Sequence, residues 1–155
     1  MNLNEAKTIA EKYLNLLKPY CSRIEIAGSI RREKPEVGDI ELIVIVKDIK
    51  GFSKEVNKLE KVKGEPTGKY TQRILPEGIK LDLFIANKRN WGLIFAIRTG
   101  SAEFSHKVLA RGWVKAGYKS INGMLTKDGK EIEVREEKDL FNLIGIPYVE
   151  PELRR

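Results

Sequence analysis

Apolar residues at Ile9, Ala10, Tyr13, Leu14 and Leu17 recur at helical spacing. They predict a helix over 4–18, with Asn2 or Asn4 as its cap and Pro19 as its stop. Polar and apolar positions then alternate from Arg23 to Ala27, the period of a strand. A charge-rich loop, 28–38, follows. Asp39–Lys47 (DIELIVIVK) is dense in β-branched residues and predicts a second strand. A short helix carrying Val56, Leu59 and Val62, capped by Ser53, is expected next. Gly64, Pro66 and Gly68 mark a loop, and two strand-like runs, 69–75 and 79–86, flank the turn Pro76-Glu77-Gly78.

The pattern changes after Ala86. Asn90 is placed to cap a helix with Trp91, Ile94 and Phe95, broken at Thr99-Gly100, after which Ser101 caps another. Asn122-Gly123 and Asp128-Gly129 are turn dipeptides that divide 118–135 into short strands. A last helix over 137–144 ends at Gly145 and Pro147. The expected class is α+β: a mixed or antiparallel sheet with helices, then a smaller α+β part, with the boundary near 87–90.

The chain has 155 residues, 41% hydrophobic and 33% charged, which is a globular composition. No apolar run approaches the ~20 residues of a membrane span, and no signal-peptide pattern opens the chain. A single cysteine, Cys21, excludes an internal disulfide and reads as a small core filler. These features lead to the expectation of an intracellular, cytoplasmic protein without a membrane partner. A net charge of +7 and a pI near 9.4 favour polyanions, nucleic acid above all. A Lys/Glu-rich solvated surface is the alternative.

Asp39 and Glu41 are two apart on a predicted strand, so both side chains leave the same face. The next residues on that face, Ile43 and Ile45, are apolar. Two acids at one end of a hydrophobic face need a compensating cation. Asp82 lies in another hydrophobic run, KLDLFI. Should the two strands be neighbours, three carboxylates converge in a set of oxygens suited to Mg²⁺ or Mn²⁺. The competing expectation places each acid at a solvent-facing strand end or in a salt bridge with Arg31, Arg32 or Lys80.

Upstream, Gly28-Ser29 follows a strand, and such a turn exposes backbone N–H groups and a hydroxyl to phosphate oxygens. Arg31 and Arg32 supply charge for the same oxygens. Downstream, no Asp or Glu occurs between Phe104 and Lys127, while Lys107, Arg111, Lys115 and Lys119 recur every four residues. On a helix that spacing keeps them on one slowly drifting face. We expect this stripe to contact DNA, with Lys119 as the member that falls in the next segment. Trp113 is expected in the core and His106 on the surface or against the phosphate backbone.

At these residues the sequence resembles the nucleotidyltransferase superfamily and, within it, the X-family (DNA polymerase beta-like) DNA polymerases. IAGSIRREKPEVGDIELIV resembles the family's Gly-Ser-x-Arg-Arg … Gly-Asp-x-Asp motif, KLDLFIA its third-carboxylate strand, RTGSAEF its Thr-Gly-Ser segment, and EVREEKDLFNLIGIPYVEPELRR its C-terminal end. The resemblance implies a palm subdomain, 1–88, and a C-terminal, thumb-like nucleotide-selection subdomain, 89–155. It implies that Asp39, Glu41 and Asp82 are catalytic and hold two metal ions, with Asp82 helping to deprotonate a primer 3′-hydroxyl. It assigns Gly28, Ser29, Arg32 and Gly38 to the triphosphate and Thr99 and Gly100 to the incoming nucleotide.

The implied activity is DNA-directed nucleotide addition from dNTPs by a small gap-filling polymerase acting in DNA repair. Three departures bear on it. Glu41 stands where polymerases usually carry Asp. Ile97-Arg98 replaces the family's aromatic pair before Thr-Gly. Ala102, Ser105 and Leu109 replace residues that touch the base or the template minor groove, which implies low fidelity. The resemblance finds no lyase domain, helix-hairpin-helix clamp or phosphoesterase here, so a protein partner supplying a DNA clamp is expected. The alternatives are template-independent nucleotide transfer, to an end or another acceptor, and a non-catalytic nucleic-acid-binding module.

Overall fold

The computed structural model describes all 155 residues, and the chain divides into two compact units, Met1–Asn87 and Lys88–Arg155. Each is α+β.

The first unit begins with α1 (Leu3–Leu17), whose cap is Asn2; its side chain accepts from the Glu5 backbone N–H. Pro19 sits in a 3-10 turn that ends the helix. The strands β1 (Cys21–Ile26), β2 (Asp39–Val46), β3 (Glu60–Lys63), β4 (Tyr70–Ile74) and β5 (Lys80–Ile85) form one mixed sheet in the order β1-β2-β5-β4-β3. Only β2 and β5 run parallel; the other pairs are antiparallel.

Alternation sorts the strand residues by face. Ile24, Ile40, Leu42, Val44, Leu81 and Leu83 join Ala6, Ala10, Tyr13, Leu17 and Phe52 in one core, so α1 and a short helix, α3 (Ile49–Val56), cover that face. Asp39, Glu41 and Asp82 therefore leave the opposite face. Cys21 is buried in the same core, where burial pushes its thiol up to about 11.

Two expectations need correction here. The loop after β1 holds a one-turn helix, α2 (Gly28–Arg31). The next helix, α3 (Ile49–Val56), starts earlier than expected. Asp48, not Ser53, caps it, accepting from the Gly51 N–H. Ser53 is interior, its hydroxyl buried without a partner. Val62 belongs to the edge strand β3, because the chain turns at Asn57–Leu59 before the apolar spacing has run its course.

The second unit starts with α4 (Trp91–Thr99). A continuous helical stretch follows: α5 (Ala102–Phe104), a π-helical segment (Ser105–Ala110) and α6 (Arg111–Lys115). Ser101 caps it as expected, accepting from the Phe104 N–H at 2.9 Å. Asn90 is the N-cap residue of α4, as expected, but its side chain makes no capping hydrogen bond; its amide donates to the Gly123 carbonyl. A three-stranded meander, β6 (Lys119–Ile121), β7 (Met124–Lys127) and β8 (Lys130–Ile132), turns at Asn122-Gly123 and Asp128-Gly129. All four turn residues have positive φ, which Asn, Asp and Gly tolerate. The helix α7 (Glu137–Ile144) ends at Gly145 in the left-handed region. Leu93, Ala96, Phe104, Leu109, Trp113, Leu125, Leu140 and Phe141 form the core of this unit. No helix is long and apolar enough to cross a membrane.

Candidate active site and nucleic-acid face

The parallel pairing of β2 with β5 sets Glu41 opposite Asp82 and Asp39 opposite Lys80. All three acids thus share one end of one sheet face. Asp82 is 5% exposed, whereas Asp39 and Glu41 are half-buried. Burial raises the Asp39 carboxyl above the ordinary carboxylate range, and the neighbouring Asp82 charge raises it further; Lys80 partly opposes both.

The partners of the two remaining acids differ. Asp82 Oδ1 accepts from the Tyr70 hydroxyl at 2.6 Å and from Gln72 Nε2 at 2.8 Å. The Glu41 carboxylate lies against Gly28, so that a Cβ there would run into it; Gly28 also has φ +62. Arg32 feels the Glu41 charge, which opposes the lowering of its basicity by burial. No group of three or more His, Cys, Asp or Glu side chains is gathered closely enough to hold one metal ion. Strand pairing brings the three acids to one face without closing them into a ligand set.

The donor chemistry still fits a divalent cation. Asp39 and Asp82 repel each other in partial burial, and a hard cation is what two such oxygens favour. Glu41 is the register partner of Asp82 and has its carboxylate beside Gly28.

The phosphate-facing candidates lie close by in sequence and strand position. Gly28 opens α2, Ser29 is half-buried within it, and Arg32 follows its end. Gly38 is exposed just before Asp39, and a Cβ there would meet open space. In the second unit, Thr99 is fully buried at the end of α4, and Gly100 is its cap. A Cβ on Gly100 would come within 2.9 Å of Phe104 and Ser105.

Lys107, Arg111 and Lys115 are exposed along the helical stretch, while Lys119 is exposed on β6. The first three are thus a helical row and Lys119 belongs to the meander. Lys107 pairs with Glu103 at 2.8 Å, an acid one turn before it. His106, Ala110, Arg111, Val114 and Lys115 line a shallow groove, and Val114 is 64% exposed. Trp113 is buried in the core.

The sequence reading missed Tyr70 and Gln72. Their signal was present in the hairpin: with Leu75 and Ile79 flanking the turn, counting outward sets Gln72 opposite Asp82 and Tyr70 opposite Phe84.

Residues 95–155 match the family model of the DNA polymerase beta thumb. This match supports a relationship to the DNA polymerase beta-like X family, and it covers less than half of the chain. No curated protein matches the chain.

Proposed function

We propose that this protein is a DNA nucleotidyltransferase that adds nucleotides from dNTPs to a 3′-hydroxyl. One observation carries the chemistry: Asp39, Glu41 and Asp82 share one sheet face, where burial first and the Asp82 charge second raise the Asp39 carboxyl. The thumb match carries the coarser part, a polymerase-related, DNA-binding function.

Asp39, Glu41 and Asp82 would hold two Mg²⁺ or Mn²⁺ ions. Such ions, when bound, polarise phosphoryl oxygens and acidify an attacking hydroxyl. The protein's own groups do the rest. Asp82 takes up the proton of the 3′-hydroxyl as that oxygen bonds to the α-phosphorus of the dNTP and the bond to the β-phosphate breaks, releasing pyrophosphate. Ser29 and Arg32 bind triphosphate oxygens, and Gly38, with open space where a side chain would stand, admits the phosphates closely. Lys107, Arg111 and Lys115 hold the DNA backbone, with Lys119 adding charge from β6. The π-helical turn in this row is a feature frequent at functional sites.

Template-independent addition is the second reading, and one observation favours it. Leu109 is fully buried, and the Ser105 hydroxyl donates to the Ile97 carbonyl at 2.7 Å. Leu109 offers no polar group to a base and the Ser105 proton is already committed, so discrimination among nucleotides should be weak.

Primer extension on gapped duplex and on single strand, with each dNTP separately, tests both. Asp82→Asn keeps the shape and removes the charge. Incorporation should fall by at least ~100-fold, the lower scale for loss of acid–base catalysis, while DNA binding is retained. Parent-like incorporation by this variant would sink the assignment.

A further inference from the structure

The Asp82 carboxylate is gripped from one side. Tyr70 and Gln72 are two apart on β4 and so share a face, and the hairpin register places Gln72 directly opposite Asp82. Both donate to the same oxygen, Oδ1, at 2.6 and 2.8 Å; neither takes Oδ2. The Tyr70 ring is itself fixed. It stacks on Phe84 with centroids 4.9 Å apart, and the Lys63 ammonium stands 5.4 Å from its centre. The torsion that turns an aspartate carboxyl is broad and weakly restrained on its own. Two donors from a rigid strand, one of them on a stacked ring, remove that freedom.

We propose that Tyr70 and Gln72 are positioning residues: they lock the Asp82 carboxylate in one orientation, occupying Oδ1 and reserving Oδ2 for the cation and the substrate hydroxyl. This rests on the nucleotidyltransferase reading above. Burial alone would be served by any donor. Two donors on one oxygen do more, because they make the two oxygens of one carboxylate unequal.

The test compares the parent chain, Tyr70→Phe, Gln72→Leu, the double variant and Asp82→Asn. Mn²⁺ affinity is read by titrating the free-ion electron paramagnetic resonance signal, and kcat and nucleotide KM by primer extension. Tyr70→Phe keeps the ring and its stack, so it should still unfold in one cooperative transition, lowered only by the loss of one hydrogen bond. The double variant should lose ~10–100-fold in Mn²⁺ affinity or kcat, the usual scale for partners that orient a metal ligand. Each single variant should lose part of that, with nucleotide KM little changed. Suppose the parent binds Mn²⁺ and incorporates nucleotide, Asp82→Asn loses both, and Tyr70→Phe and the double variant match the parent. The positioning role is then overturned and the nucleotidyltransferase reading stands. A parent chain that neither binds Mn²⁺ nor incorporates nucleotide overturns both.

Discussion

Glu41 and Asp82 are register partners across the parallel pair β2/β5, yet their carboxylates have different neighbours: Tyr70 and Gln72 hold Asp82, whereas Glu41 lies against Gly28 and within the field of Arg32. Glu41 therefore has neighbours of its own besides the cation proposed for it. Glu41→Asp keeps the charge and only shortens the arm, so activity should be retained. Glu41→Gln should lose most of it. Equal steady-state rates in all three proteins would make Glu41 a bystander.

Asp39 leads to a pH prediction. Its folded-state carboxyl is raised, by burial first and by Asp82 second. A raised group favours the folded state while protonated, and that contribution is lost as pH rises through the folded value. At neutral pH ionised Asp39 thus works against the fold. Asp39→Asn should raise the melting temperature in the absence of divalent ions and should abolish much of the added stability that Mg²⁺ gives. That Mg²⁺ effect should fade on acidification at a higher pH than an ordinary aspartate would dictate. Melting curves with and without Mg²⁺ across pH 4–8 (about the carboxylate-to-neutral range) check both. An Asn variant that melts below the parent in chelator would contradict the repulsion.

Arg154 and Glu137 form a buried ion pair, Arg154 being fully buried and Glu137 7% exposed. The Arg154 Nε also donates to the Val149 carbonyl, and its guanidinium stands over the rings of Phe141 and Tyr148. The same residue's carbonyl accepts from the Ser101 N–H. Removing one partner of a buried pair typically costs ~3–5 kcal/mol. Arg154→Ala should destabilise the protein on that scale, in urea unfolding, while Glu137→Gln with Arg154→Met should cost clearly less. A loss under about 1 kcal/mol for Arg154→Ala, the scale of an exposed pair, would show that the tail is not clamped.

The basic row should reveal itself in salt. Lys107 is engaged by Glu103, whereas Arg111 and Lys115 form no ion pair. Arg111→Ala with Lys115→Ala should weaken binding to all DNA sequences alike. It should flatten the slope of log K against log salt by about 1.4–1.8, at ~0.7–0.9 per phosphate contact. Parent-like affinity and slope would turn this face to solvent. Glu103→Gln, which frees Lys107, should bind slightly tighter.

The sequence by itself determined the elements whose signal is local. Period-two alternation and β-branching marked β2; helical spacing with Asn2 and Pro19 marked α1; Asn-Gly and Asp-Gly placed both turns of the meander, because only such residues accept positive φ cheaply. Alternation also put Asp39 and Glu41 on one face without any knowledge of the neighbours. What local pattern does not contain is which strands pair and how buried side chains turn. That β2 runs parallel beside β5, so that Glu41 meets Asp82, depends on a non-local pairing whose partners are far apart in the chain. The end of α3 was misplaced because Val62 continues a helical spacing that pairing with β4 overrides. Orientation of carboxylates was decided only in three dimensions: counting from the hairpin turn sets Gln72 opposite Asp82 and Tyr70 opposite Phe84, but that both side chains turn onto Oδ1, and that the Glu41 carboxylate lies against a glycine, no spacing encodes.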